Sequence, residues 1–323
     1  VKKSILKYRK PGQALVALNG VFVPWDGVFS HGFFLSNANK SKIWIFNEGE
    51  SELCDHSNSN DPFVISKEDY IGNAEQLIKT LNDNKLQKGV YSRVKKSEIK
   101  QSHEAIFGAL CSAYPEAFVY YFNDPRLGEW LGATPEVLIR NEEKHTLVIS
   151  LAGTLRADAQ EDWTEKERQE QMFVTEFILD KLEDHNADKL LVTEAYEVLA
   201  GPVKHLRSDI IFEAEKEDAF AIALDLHPTP AVCGLPRSKA MQVLASLEPH
   251  DRELYTGFIG IIDEGVSLYV NLRCAKLNNN NAFLFLGGGF TKDSDPEKEW
   301  METEHKSRTL LNIFERLNEN EKQ

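Results

Sequence analysis

The chain has 323 residues, 42% of them hydrophobic and 10% aromatic, enough to bury one large core or two ordinary ones, which excludes general disorder. Its formal net charge is −14 with no basic block set against it; this excludes nucleic acid and an anionic membrane surface as main partners, so an anionic ligand must be recruited by local cations. No apolar run reaches the length of a membrane span, VKKSILKYRK lacks the apolar stretch of a signal peptide, and Cys54, Cys111, Cys233 and Cys274 show no CxxC spacing, so a cytoplasmic protein with reduced thiols is expected.

In chain order, QALVAL, SKIWIF and AFVYYF predict short strands separated by turn residues. An apolar stripe of Tyr70, Ile71, Ala74, Ile78 and Leu81 predicts a helix, and Met172, Thr175, Leu179 and Leu182 predict another. A third helix is expected over about 236–247 and a last one over about 296–317. Between these two, FIGIID, SLYVNLRCAKL and AFLFLGG read as an antiparallel meander. There is no repeat and no Pro/Gly/Ser linker, and strands and helices do not alternate regularly. An α+β chain with a mixed antiparallel architecture, forming one domain over 1–323, is therefore expected.

Several segments carry chemistry. Gly287, Gly288 and Gly289 run into the acid-rich DSDPEKEWMETEHK helix start; bare glycine amides can cradle an anion, while Glu299 and Glu302 share a helix face and can hold a divalent cation. WLGATPEVLIR places Glu136 at a turn–strand junction, which on spacing alone is an ordinary solvated carboxylate. In SLAGTLRAD, Gly153 and Thr154 offer an amide and a hydroxyl, though alone the segment is a turn. Lys166 and Glu170 stand four apart on the KERQEQ helix, the spacing of a solvated ion pair. LDLHPTPAVCGLP, with three prolines and a glycine, reads as a rigid loop of the kind that shapes pockets.

GATPE, LAGT, KERQEQ, HPTPAVCGLP, EPHDRELYTGFIG, NLRCAKL and GGGFTKDSDPEKEWMETEHK, taken in that order and spacing, resemble the chorismate-utilising enzymes. That family includes isochorismate synthase, anthranilate synthase component I, aminodeoxychorismate synthase and salicylate synthase. The resemblance covers roughly 60–317, with the first sixty residues a generic strand-rich lead-in to a catalytic core over 61–317. It implies two large antiparallel sheets packed face to face with helices outside, and a magnesium-dependent site between them. Carried over residue by residue, Glu170 and Glu302 correspond to the metal carboxylates, with Glu299 and Glu167 as direct or water-mediated helpers; Mg2+ takes one or two carboxylates, several waters and a substrate oxygen. By the same resemblance Lys88 is the base that activates water, and Glu136 is the general acid. Their roles require Lys88 to lose its proton and Glu136 to keep one near pH 7.

Within the family, Lys88 favours water over ammonia as nucleophile. Ala152 stands where aminodeoxychorismate synthases carry a lysine, which argues against covalent attack by the enzyme. Arg273 in NLRCAKL suits bidentate capture of the enolpyruvyl carboxylate. Tyr255, His227 and Lys306 are further substrate-contact candidates, although Lys306 also stands four residues from Glu302 and His227 could instead support its loop. His103, His205, His250 and His305 have no spacing that marks a ligand. The implied activity is that of an isochorismate synthase feeding menaquinone or siderophore synthesis, a monomer with no obligate glutaminase subunit. Salicylate synthesis, an ammonia-using anthranilate or aminodeoxychorismate synthase, and a non-catalytic chorismate-binding protein are the alternatives.

Overall fold

The computed structural model describes residues 3–49, 61–83, 85–160, 162–200 and 203–320; the side chains of Thr154, Lys166, Ala200, Val203 and Asn320 lie outside the described set, as does Cys54. The chain opens with β1 (Ser4–Arg9), β2 (Leu15–Pro24), β3 (Gly32–Ser36) and β4 (Ile43–Glu48), followed by α1 (Lys67–Asn82), β5 (Lys88–Glu98) and α2 (His103–Ala113). Four strands come next, β6 (Phe118–Asp124), β7 (Gly128–Thr134), β8 (Val137–Glu142) and β9 (His145–Arg156), and then α3 (Glu165–Asp184). β10 (Asp188–Val192), β11 (Tyr196–Ala200) and β12 (Val203–Glu213) lead to α4 (Lys216–Leu226), β13 (Gly234–Leu235) and α5 (Arg237–Leu247). β14 (Phe258–Ile262), β15 (Val266–Val270), β16 (Cys274–Asn278), β17 (Asn281–Phe290) and α6 (Pro296–Asn320) complete the fold.

The four expected helices are α1, α3, α5 and α6. In α1 the stripe buries Tyr70, Ala74, Leu77 and Leu81, and Ser66 caps the start by accepting the Asp69 N–H. The sequence reading did not anticipate α2 and α4. In α4 the buried set Ala219, Phe220, Ile222, Ala223 and Leu226 is wide and alanine-rich, which blurs the stripe.

The strands pair antiparallel throughout. One run of neighbours is β13–β5–β17–β16–β7–β6–β1–β2, and a second is β4–β3–β14–β15–β8–β9–β12, with β10 and β11 side by side on the far edge of β12. β2 also pairs with β4, so the two expected sheets are halves of one continuous ladder. They pack face to face on a shared aromatic core that includes Phe22, Phe33, Phe118, Tyr120, Trp130, Tyr269 and Phe285. Helices α3 and α4 cover the outer face of the second half, and α2 and α6, then α1 and α5, cover the first. The first four strands are therefore the join between the halves rather than a lead-in.

The meander reading of the C-terminal strands needs correction. β14 pairs with β15, and β16 with β17, but β15 lies beside β8 and β16 beside β7. SLYVNLRCAKL is thus two strands in opposite halves, and the chain crosses between them at Asn271–Arg273. It makes a matching crossing between β7 and β8, at Pro135 and Glu136.

Candidate functional site

The two crossings lie against each other. The Ala133 N–H donates to the Arg273 carbonyl at 3.2 Å, the Val270 N–H to the Glu136 carbonyl at 2.9 Å, and the Thr134 hydroxyl to the Val270 carbonyl at 2.6 Å. Arg273 holds a left-handed φ of 50°, a conformation that costs a non-glycine residue roughly 1–3 kcal/mol and persists where surrounding contacts impose it. Both side chains face a cavity of about 110 Å³ between the halves. Burial pushes the Glu136 carboxyl up to about 7, against the opposing pull of Arg273, Lys306 and Lys88. Burial likewise lowers the Arg273 guanidinium from its usual range.

Lysines and glutamates line the rest of the cavity in pairs. Lys88, at the start of β5 and only 3% exposed, places its ammonium 2.7 Å from Glu170 Oε1 on α3. Lys306 on α6 lies 2.5 Å from Glu302 Oε1, one helical turn away, and donates to the Gly287 carbonyl at 2.9 Å. Burial pushes Glu302 upward, but its cationic surroundings, Lys306 foremost and Arg273 with it, together hold the carboxyl below the usual range.

The glycine run is not a loop cradle of left-handed residues. Gly287, Gly288 and Gly289 are extended within β17, in register with Ser92, Tyr91 and Val90 of β5. Glycine is required by what approaches. A Cβ on Gly287 would lie 2.8 Å from the Tyr255 hydroxyl, one on Gly288 3.2 Å from Glu299 Oε2 and 4.0 Å from Glu302 Oε1, and one on Gly289 3.0 Å from Glu170 Oε1. The ladder still leaves amides available. The Ser92 N–H donates to Glu248 and the Val90 N–H to the Cys233 carbonyl, so both point out of the ladder; their partners Gly287 and Gly289 accordingly turn their own N–H groups toward the opposite edge, the side of Lys306.

The remaining candidates divide. Tyr255 lines the cavity, and burial raises its phenol far above the usual range, keeping it a donor. Gly153 also lines it, with a left-handed φ of 69° where the chain passes within van der Waals reach of Glu167. Thr154 is on β9, but its side chain lies outside the described set, as does that of Lys166. Glu299 accepts from the Ser294 hydroxyl at 2.8 Å. Glu167 turns back to accept the Thr164 N–H at 3.0 Å, closing the capping box of α3 rather than facing the cavity. His227 is fully buried away from the cavity, edge-on to Phe258, and burial lowers its ring to about 3. It supports the loop in that position and does not reach a ligand in the cavity.

His205 is the residue that sequence reasoning missed. It lines the cavity from β12, its Nδ1 2.8 Å from the Gly153 carbonyl, which assigns the ring proton to Nδ1. Burial lowers it to about 4, so the ring is neutral at neutral pH. KHLRSD carries no motif, and the β9–β12 register that brings His205 beside Thr154 is a long-range pairing. Leu151, Ala231, Val232, Leu272 and Phe285 complete an apolar wall.

Chemically the cavity joins an acid near its working pH, a buried lysine, a guanidinium fork and carboxylates from two helices around two glycines. No group of three or more His, Cys, Asp and Glu side chains stands ready to hold a metal among the described residues. The donor set of Glu170, Glu302 and Glu299 is nevertheless all hard carboxylate oxygen, gathered where Gly288 and Gly289 leave room, and so fits a hard dication.

The family described as "Chorismate binding enzyme" matches residues 35–315. The chain is 36% identical over 200 residues to isochorismate synthase EntC of Escherichia coli strain K12, covering 58% of this chain and 51% of that protein. It is 32% identical over 255 residues to isochorismate synthase MenF of the same strain, covering 74% and 59%. The chain thus spans between half and three fifths of the length of these two relatives. A crystal structure described as DhbC from Bacillus anthracis superposes with a TM-score of 0.81 at 24% identity, over 96% of both chains, a likeness of fold.

Proposed function

Because this chain belongs to the chorismate-binding enzyme family, we propose that it is a magnesium-dependent isochorismate synthase, converting chorismate and water reversibly to isochorismate. The observation that carries the reading is that Lys88, Glu136 and Arg273 line one cavity, with Glu136 shifted to about 7. Such a set supplies a base, an acid and a carboxylate clamp to one bound molecule.

In this reading Arg273 and the outward amides of Gly287 and Gly289 hold the side-chain carboxylate, and Tyr255 donates its hydroxyl to the substrate. Lys88 accepts a proton from water, whose oxygen bonds to ring C2; the diene electrons shift, the C4–O bond breaks, and Glu136 delivers its proton to the departing hydroxyl. Atoms and charge balance, and in the reverse direction protonated Lys88 acts as the acid and ionised Glu136 as the base. Glu170 and Glu302, with Glu299 beside them and Glu167 after leaving its cap, are the residues that would hold Mg2+. When bound, it neutralises the ring carboxylate and draws electron density from the diene. Lys88 is a base only when its pair with Glu170 is broken, so engagement of Glu170 elsewhere is what frees the amine. The product would feed menaquinone or catechol siderophore synthesis, and the chain would act as a monomer without a glutaminase partner.

The test is incubation with chorismate and magnesium, with and without ammonium, followed by chromatography with mass detection. Isochorismate alone, lost on chelation, is expected. Salicylate with pyruvate would move the assignment to salicylate synthase, an amino product to the ammonia-using branch, and unchanged chorismate to a binding protein.

A further inference from the structure

Arg252 lies in EPHDRELYTG and touches no reacting group. Its side chain is only 11% exposed, and all five of its N–H groups are used. Nε and one terminal nitrogen grip Glu248 at 2.8 and 2.6 Å. The others reach the Val232 carbonyl at 2.8 Å, the Thr256 hydroxyl at 3.4 Å and the Val90 carbonyl. Val90, Val232 and Thr256 come from three separate segments, and each lines the reaction cavity. Glu248 in turn accepts both the N–H and the hydroxyl of Ser92, each at 2.8 Å. The pair therefore grips β5 two and four residues beyond Lys88, on the edge opposite Gly287 and Gly289.

From this geometry we propose that Arg252, braced by Glu248, is a positioning residue that fixes Lys88 and the Val232–Thr256 wall relative to Glu136 and Arg273. A buried ion pair is a weak source of stability compared with apolar packing, so its retention here is better explained by the three carbonyl and hydroxyl contacts it aligns. Only a planar fork makes five such contacts at once; an ammonium has three donors. Thr256 adds to the case, because its left-handed φ of 61° needs contacts that impose it.

Arg252 also borders a surface cavity of about 410 Å³ that is separate from the reaction cavity except at Val232 and Thr256. This gives a direct test by chemical rescue. The inference rests on the chorismate reading for its activity readout. In Arg252→Ala, kcat for isochorismate formation should fall by about a hundredfold with KM within about twofold, because misplacing a reacting group affects turnover more than binding. Arg252→Lys should not restore it, whereas methylguanidinium added to Arg252→Ala should restore kcat by at least about tenfold. A kcat per folded molecule equal to wild type, or a folded variant that methylguanidinium leaves unchanged, overturns the proposal. If the single variant does not fold, the double variant Glu248→Ala/Arg252→Ala, which leaves no buried charge unpaired, takes its place.

Amide hydrogen exchange reads the same contacts without substrate. Val90, Val232 and Cys233 should exchange at least about tenfold faster in the variant while β6 and β7 stay protected. If wild type leaves chorismate unchanged but this pattern holds, the functional reading falls and the clamp stands; uniform exchange across the fold sinks the clamp.

Discussion

Burial holds the Glu136 carboxyl protonated up to about pH 7, whereas an ordinary glutamate gives up its proton near 4.5. The folded state keeps this proton longer than the unfolded chain, so the associated stability is complete below about 4.5 and is lost as pH rises through about 7. His205 acts in the opposite sense: its folded value near 4 lies below 6.5, so its contribution is present above 6.5 and lost as pH falls through about 4. The two partly cancel, and a variant separates them. Relative to wild type, Glu136→Gln should gain stability progressively between pH 4.5 and 7, measured by urea unfolding at each pH, while its turnover falls at least about a hundredfold. A constant stability difference across that window would mean that Glu136 is ionised normally. On the proposed reading, Lys88→Ala should lower the hydration rate by a similar factor and leave chorismate binding, measured by calorimetry, within about tenfold. Gly289→Ala places a methyl 3.0 Å from Glu170 Oε1 and 3.3 Å from Lys88 Cε, both ends of flexible side chains. The expected result is a melting temperature near wild type with kcat reduced by about tenfold or more. Glu136, Glu170 and Arg273 were legible as cavity residues because each sits in a segment that resembles the family, whereas Lys88 came from the resemblance alone. His205 was not legible, because only the pairing of β9 with β12 brings it in, and the extended course of the glycines was not, because what comes close to them, Tyr255, Glu299 and Glu170, arrives from distant parts of the chain.

At the scale of elements, α6 does two jobs with its successive turns. Glu299, Glu302 and Lys306 face β17 and the cavity, while Trp300, Thr303 and Glu304 meet Arg93 of β5. The Arg93 guanidinium lies 3.7 Å from the Trp300 ring centre, donates to Thr303 at 2.7 Å, and pairs with Glu304, which Lys95 also holds. Removing it by Arg93→Ala should cost about 3 kcal/mol in urea unfolding, the range for breaking a buried charged pair, and should also lower turnover because the same helical turns carry Glu299 and Glu302. A loss of stability with kcat per folded molecule intact would separate the two jobs. The α1 stripe was readable because its apolar face repeats with helical period, but the α3 stripe was set on the wrong face: Met172 is exposed, and the buried positions are Gln171, Val174, Ile178 and Leu182, whereas α4 packs more of its circumference. The break of SLYVNLRCAKL into β15 and β16 was hidden because both fragments are good strands, and the interruption at Arg273 is set by neighbours, not by a turn residue.

Across the whole molecule, hydrogen bonding runs without interruption from β13 to β12, and the halves share one aromatic core. We therefore expect a single cooperative unit: urea transitions followed by tryptophan fluorescence and by far-ultraviolet circular dichroism should coincide. A resolved intermediate would show that the halves melt separately. Antiparallel α+β character was evident from strand spacing, but the role of the opening residues was not, since β1 and β3 find their outer partners in β6 and β14 and no local pattern announces a partner so distant.

That join also has a consequence for how the chain is made. Synthesis delivers β1 to β4 ahead of their outer partners, so Leu6 must wait for Phe122, and Phe34 for Gly260. Until β14 emerges, Phe33, Phe34 and Leu35, all nearly inaccessible in the finished fold, line an edge with no neighbour on one side. A ribosome stalled before that point carries an apolar strand ready to pair with another nascent chain. The seam is made before its outer partners and is sealed only when β14 arrives, so the interval between β3 and β14 is when this fold depends most on chaperones.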